Sequence, residues 1–245
     1  MFKGTVRFRA RIRGHGVTFP LFDFNPYKSG VDRIEMKSPS GGEIAGAVHL
    51  TSVASQADGL AIATSAVETA LDRICFSYGV TIENSQVVES AFSPMHPQPG
   101  VFPVEAGHYA IMGAELGMVV GVPPERMRAL LEQAAPPGER NFALFRLARQ
   151  SMSPVEEFTI LYGTLLMLLG DKQANVDAFI RREEPAVPQT PDPRDPTNME
   201  TVYTRLRNEL AHRRPGVDLH NTLAEMMAHV GGLRTLTKRA IELHP

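Results

Sequence analysis

One cysteine, Cys75, stands in the 245 residues of the chain, so no intrachain disulfide can form. That usage reads as a reducing, cytosolic compartment. The opening stretch MFKGTVRFRARIRG carries no apolar core of the kind that a secretory signal needs. The longest apolar run, around Phe158 to Leu169, is too short to cross a bilayer. The expectation is a cytoplasmic chain with no membrane partner. Charge of one sign is also lacking. The net charge of −2 makes no global basic field, so any contact with nucleic acid must be local. No internal repeat is visible. GxxxxGK[ST], GxSxG and HExxH are all absent, and GHG at 14–16 lacks the rest of a dinucleotide fingerprint. The eight histidines form no i, i+3 or i, i+4 pair on any expected helix, which argues against a metal site. Neither a metal nor a cofactor is expected.

What is present is an ordinary globular composition, 43% apolar and 21% charged, in a chain long enough for a buried core. Residues 5–14, TVRFRARIRG, alternate strictly. Val6, Phe8, Ala10 and Ile12 point one way, and Arg7, Arg9, Arg11 and Arg13 the other, as on a half-buried strand. GVTFPLF (16–22) is expected as its hairpin partner, with Pro20 placing it at an edge. VDRIEMK (31–37) and EIAGAVHL (43–50) read as strands, Ala54 to Tyr78 as a helix stopped by Gly79, and residues 80–90 as a returning strand. The four arginines of 7–13 could follow a phosphate backbone. A solvated face paired with acids such as Asp32 and Glu35 is the better reading, because aromatics for base stacking are missing.

Residues 93–103 hold four prolines and read as a linker. After them the spacing turns helical: His108 to Val120, Pro124 to Ala135, Asn141 to Gln150, a helix capped by Ser153 and running to Leu169, and Gln173 to Glu184. Five prolines in 184–198 read as a flexible loop. Met199 to Arg213 and Leu219 to Leu243 close the set, the latter capped by Asp218. Leu219, Leu223, Met226, Val230 and Leu233 lay a seam along that last helix for another helix. Within it, Gly231-Gly232 is a place where a neighbour could come close. The expected fold class is α+β. A small N-terminal antiparallel sheet with a helix, residues 1–103, is followed by an all-α bundle, residues 104–245.

The stretch RLRNELAHRRPG (205–216) concentrates charge. Arg205, Arg207, Arg213 and Arg214 stand against Glu209 in a chain that is net negative. On a helix of about 100° per residue, Tyr203, Leu206 and Leu210 form the core stripe, Arg207 flanks it, and Asn208 and His212 share the opposite side. An Arg-rich helix end is also what the helix dipole favours by itself.

Arg207-Asn208-x-x-x-His212 resembles the signature of the HEPN superfamily: an Arg followed by a polar residue, then a His a few positions on. A Pro-rich loop, ETVYTRLRNELAHR and a long last helix together look like its Apea-like branch. RNELAHRRPGV with HVGGL and LTKRAIE is similar to the C-terminal part of J-type methylamine-utilisation proteins. The strand–helix–strand of residues 47–82 looks like the module that often precedes such domains. The resemblance implies an all-helical dimerising domain and a metal-independent ribonuclease. In it His212 is the general base, Arg207 stabilises the phosphate in the transition state, and Asn208 orients His212 or the phosphate. Arg205, Arg213 and Arg214 would hold RNA. The same resemblance carries a non-enzymatic alternative, an accessory or interaction protein with a protein partner or antitoxin.

Overall fold

The alternation of residues 5–14 is realised inside one long strand, β1, Phe2–Phe24, with Val6, Phe8, Ala10 and Ile12 all buried. The computed structural model describes residues 1–95, 104–107, 116–135, 138–212 and 216–244. Two further strands, β2 (Val31–Ser38) and β3 (Glu43–Val53), lie at the expected places. The expected hairpin between 5–14 and 16–22 does not form. Both stretches belong to β1, which passes through Gly14 at φ 72° and changes partners on the way. Its first half pairs antiparallel with β3, Val6 opposite Val48, and its second half with β2, Phe22 opposite Met36.

The single long helix of this region, α1 (Gln56–Tyr78), is capped by Ser55, whose hydroxyl accepts from the Asp58 amide at 3.1 Å. Gly79 ends it at φ 68°, the left-handed conformation that glycine tolerates best. Cys75 is fully buried on its inner face. The returning stretch splits into β4 (Thr81–Ile82) and β5 (Gln86–Pro94), both antiparallel to β1. The short β6 (Val104–Gly107) pairs with β5. β7 (Leu116–Gly121) runs parallel to β1. The helix expected over His108 to Val120 is therefore wrong for 116–120, and 108–115 lie outside the described residues. Gly117 and Gly121 are poor helix formers, and Val119-Val120 is β-branched, so the strand wins there.

The chain divides into two compact units, Met1–Ala135 and Pro136–Pro245, not at residue 103. The reason is that β6, β7 and α2 pair and pack with the first unit. α2 (Pro124–Glu132) is held there by buried Arg73 of α1, which donates to the carbonyls of Leu131 at 2.9 Å and Gln133 at 2.8 Å. A guanidinium on the unpaired carbonyls of a helix end satisfies them and complements the dipole.

The second unit contains α3 (Glu139–Gln150), α4 (Pro154–Leu168), α5 (Gln173–Glu183), β8 (Gln189–Asp192), β9 (Asp195–Thr201), α6 (Val202–Ala211) and α7 (Leu219–Leu243). It is not all-α. The Pro-rich stretch expected as a flexible loop forms the two-stranded β8–β9 hairpin, in which Asp195 anchors the turn by accepting from the Thr197 amide and hydroxyl. The α+β class holds for the chain. α7 packs along α4, with Met226, Val230, Leu233 and Leu236 buried and the Thr237 hydroxyl donating to the Leu161 carbonyl. The seam starts later than expected, for Leu219 is 53% exposed. Gly232 lets α6 approach α7, since a Cβ there would strike the Tyr203 hydroxyl, whereas one at Gly231 would meet open space. Buried Glu157 of α4 pairs with Arg149 and, through both oxygens, with Arg234 of α7. Among the described residues, no helix is long and apolar enough to cross a membrane.

Candidate functional site

The second unit builds a chain of buried polar groups around α6. Thr201, the last residue of β9, caps α6 with its hydroxyl on the Thr204 amide. Its own amide donates to Asp177 Oδ1 of α5 at 2.9 Å, and the Thr204 hydroxyl donates to the same oxygen at 2.8 Å. Tyr162 of α4 shares a 2.8 Å bond with that hydroxyl. Burial, with Asp177 and Glu200 nearby, pushes the Tyr162 phenol well above its ordinary pKa. One turn along α6, Asn208 is 4% exposed and fully engaged. Its Nδ2 donates to Glu200 Oε1 of β9 at 2.7 Å. Its Oδ1 accepts from Gln173 Nε2 of α5 at 2.7 Å and from the Arg207 guanidinium at 3.0 Å.

Asn208 is therefore not part of an outward pair with His212. The helical wheel misplaces it because it counts one buried face, and α6 has two. α7 covers the Tyr203–Leu206 side, and α5 with the hairpin covers the Asn208 side. Leu210, expected in the core stripe, is only half-buried. α6 is also shorter than expected, because Glu200 and Thr201 belong to β9. His212 closes the helix as an exposed residue in extended conformation, φ −131° and ψ 134°, with its amide on the Asn208 carbonyl at 2.9 Å. Its ring direction is thus released from the helical wheel. Arg207, half-buried, and His212 stay within one and a half turns of each other on the same helix end.

The local positive charge is weaker than the sequence suggests. Arg205 bonds Glu209 of its own helix at 2.9 Å and also Glu225 of α7. Burial works against its charge, but those two carboxylates more than offset it and raise its pKa. As a free contact for RNA, Arg205 is a poor candidate. Arg213 and Arg214 lie outside the described residues. Arginines of the β1 stripe are also paired, though not with Asp32 and Glu35: Arg7 meets Glu89 at 2.7 Å and Arg13 meets Glu83 at 3.1 Å, while Arg11 buries its Nε without a hydrogen-bond partner among the described residues. Asp32 and Glu35 pair with Arg33.

Sequence reading missed Gln173, Asp177 and Glu200. The first two fall four apart on α5, with Arg181 four further on, and that polar stripe was a usable signal. Glu200 had none, since it sits at the end of a stretch read as loop. Among the described residues, no group of three or more His, Cys, Asp and Glu could hold a metal ion. Comparison of the chain with family models, curated proteins and solved structures finds no match.

Proposed function

We propose that the second unit is a HEPN-like helical domain and that the protein is an RNA-directed, metal-independent endoribonuclease working as a homodimer. The observation that carries this reading is the restraint on Arg207. Its guanidinium is tied to Asn208, which Glu200 and Gln173 hold in turn, next to the exposed His212 on the same helix end. A fixed guanidinium beside a free imidazole suits phosphoester cleavage at neutral pH. His212 takes the proton of a ribose 2′-hydroxyl. The 2′-oxygen attacks the adjacent phosphorus, the 5′-oxygen leaves and takes a proton from water to become a 5′-hydroxyl, and a 2′,3′-cyclic phosphate results. Arg207 stabilises the charge that grows on the phosphate oxygens. Asn208 is a positioning residue that acts through Arg207. In a dimer, two such helix ends line one cleft, and Arg213 and Arg214, which follow His212 in the sequence, hold the RNA backbone.

The test is incubation of the full chain with RNA in EDTA. Wild type is expected to leave cyclic-phosphate ends. His212→Ala and Arg207→Ala are each expected to lose about 100-fold or more in rate. If a folded dimer cleaves no RNA tested, the ribonuclease reading fails.

The pairing of Arg205 favours a second reading. With that charge already neutralised by Glu209 and Glu225, the face around α6 suits a protein partner or antitoxin as well as RNA, as in an accessory protein that uses the bundle for binding alone.

A further inference from the structure

We infer that the cavity flanked by α5, the β8–β9 hairpin and the start of α6 is a base pocket that takes guanine. The choice of a nucleobase rests on the ribonuclease reading above, but the pocket stands on its own observations.

The cavity has a volume of about 490 Å³, ample for one nucleoside. Gln173, Asp177 and Arg181 line it in four-residue steps along α5, together with Glu200 and Thr204. With Asp192, three carboxylates line it against the guanidinium of Arg181 among the described residues. That balance repels a phosphate and attracts N–H donors. It sends the two halves of a nucleotide to different places, the phosphate to Arg207 and the base to the cavity.

Asp177 says which base. It is 6% exposed, and both of its hydrogen bonds fall on Oδ1. Among the described residues Oδ2 has no partner, yet it is not sealed off, so it is open to the cavity that Asp177 lines. That oxygen is an acceptor left available to a donor. Guanine alone among the RNA bases presents two adjacent donors, N1–H and N2–H, on one edge. Adenine and cytosine pair their amino group with an acceptor nitrogen, and uracil flanks its single N–H with carbonyl oxygens, so each turns an acceptor toward the carboxylates. Guanine O6 needs a donor, which the Arg181 guanidinium on the same helix supplies. The coupling to cleavage is short. Gln173 and Glu200 line the cavity and also hold Asn208, which holds Arg207.

The test uses the full chain titrated calorimetrically with guanosine, adenosine, cytidine and uridine. Guanosine is expected to bind at least about tenfold more tightly than the other three. Asp177→Asn is expected to weaken it by about tenfold, by replacing an acceptor with an amide. That variant also touches the cap of α6, so Ala174→Leu serves as the second. Ala174 is exposed on α5 and lines the cavity, and the larger side chain fills space without touching the Asp177 bonds. Circular dichroism checks that both variants fold. Equal affinity for the four nucleosides, no binding of any, or guanosine binding untouched by both variants overturns the pocket. RNA cleavage without guanosine binding removes the pocket and leaves the ribonuclease standing. Guanosine binding that both variants abolish, in a chain that cleaves nothing, keeps the pocket and removes the ribonuclease.

Discussion

The two units bury polarity in different ways. In the first, buried Arg73 meets backbone carbonyls, while Arg7 and Arg13 of β1 meet Glu89 and Glu83 toward the surface. The hydrophobic face beneath needs nothing from them. In the second, the polar groups are inside: Glu157 among two arginines, Asp177 beneath the start of α6, and Asn208 locked to Glu200 and Gln173. A surface pair between solvated side chains contributes little to stability. A buried group that loses its partner is expensive. The same kinds of residue therefore have different weights in the two halves.

The largest test of that contrast removes Glu157. Glu157→Ala leaves Arg149 and Arg234 without their shared carboxylate and is expected to cost the second unit about 3–5 kcal/mol. Urea unfolding followed by probes in each unit should show the loss in the second transition only. A comparable loss in the first unit breaks the comparison.

Packing at Gly232 comes next. Gly232→Ala drives a methyl group into the Tyr203 hydroxyl and is expected to cost about 1–3 kcal/mol. Tyr203→Phe in the same chain removes the obstructing oxygen and should recover part of the loss. Gly231→Ala, which meets open space, should stabilise slightly through helix propensity.

Asn208→Ala is expected to lower stability by about 1–3 kcal/mol, since buried Glu200 loses the Asn208 donor. If Asn208 positions Arg207, the variant also loses kcat and keeps the pH profile set by His212. An altered pH profile would place Asn208 on the imidazole instead.

Alkaline pH tests the second unit more gently. Burial and the bond to Glu184 raise the Tyr203 pKa above its ordinary 10.0, and burial raises that of Tyr162. Both phenols stay protonated in folded and unfolded chains below about pH 10, where their contribution is complete. Above it the unfolded chain ionises first, so the second unit loses stability as pH rises, by up to about 1.4 kcal/mol per pH unit per tyrosine. Tyr203→Phe should flatten that fall. The smallest effect belongs to the surface: Arg7→Ala should change the first unit by less than about 1 kcal/mol, and less still at high salt.

Much of the first unit was legible because a half-buried strand writes its environment in steps of two. Val6, Phe8, Ala10 and Ile12 could be assigned from their neighbours alone. Helix ends were legible too, at Gly79, Ser153 and Asp218, since capping uses local chemistry. The hairpin at 189–201 was not, because the five prolines of 184–198 mark only what the backbone cannot donate. Nor was the placement of Asn208. A helical wheel locates one apolar face, and only the arrival of α5 and β9 decides whether the polar face meets water. Of the candidate site, Arg207 and His212 were visible by spacing, while Gln173, Asp177 and Glu200 come from elements distant along the chain.

By itself the sequence determined the α+β class, the strand faces, most helix limits and the concentration of charge at 205–214. All of these rest on interactions between residues a few positions apart. Tertiary structure decided that Arg205 is neutralised, that Asn208 is buried, and that Asp177 lines a cavity. Those outcomes depend on which groups come together over long sequence separations, where burial rather than local propensity sets the cost of every polar atom.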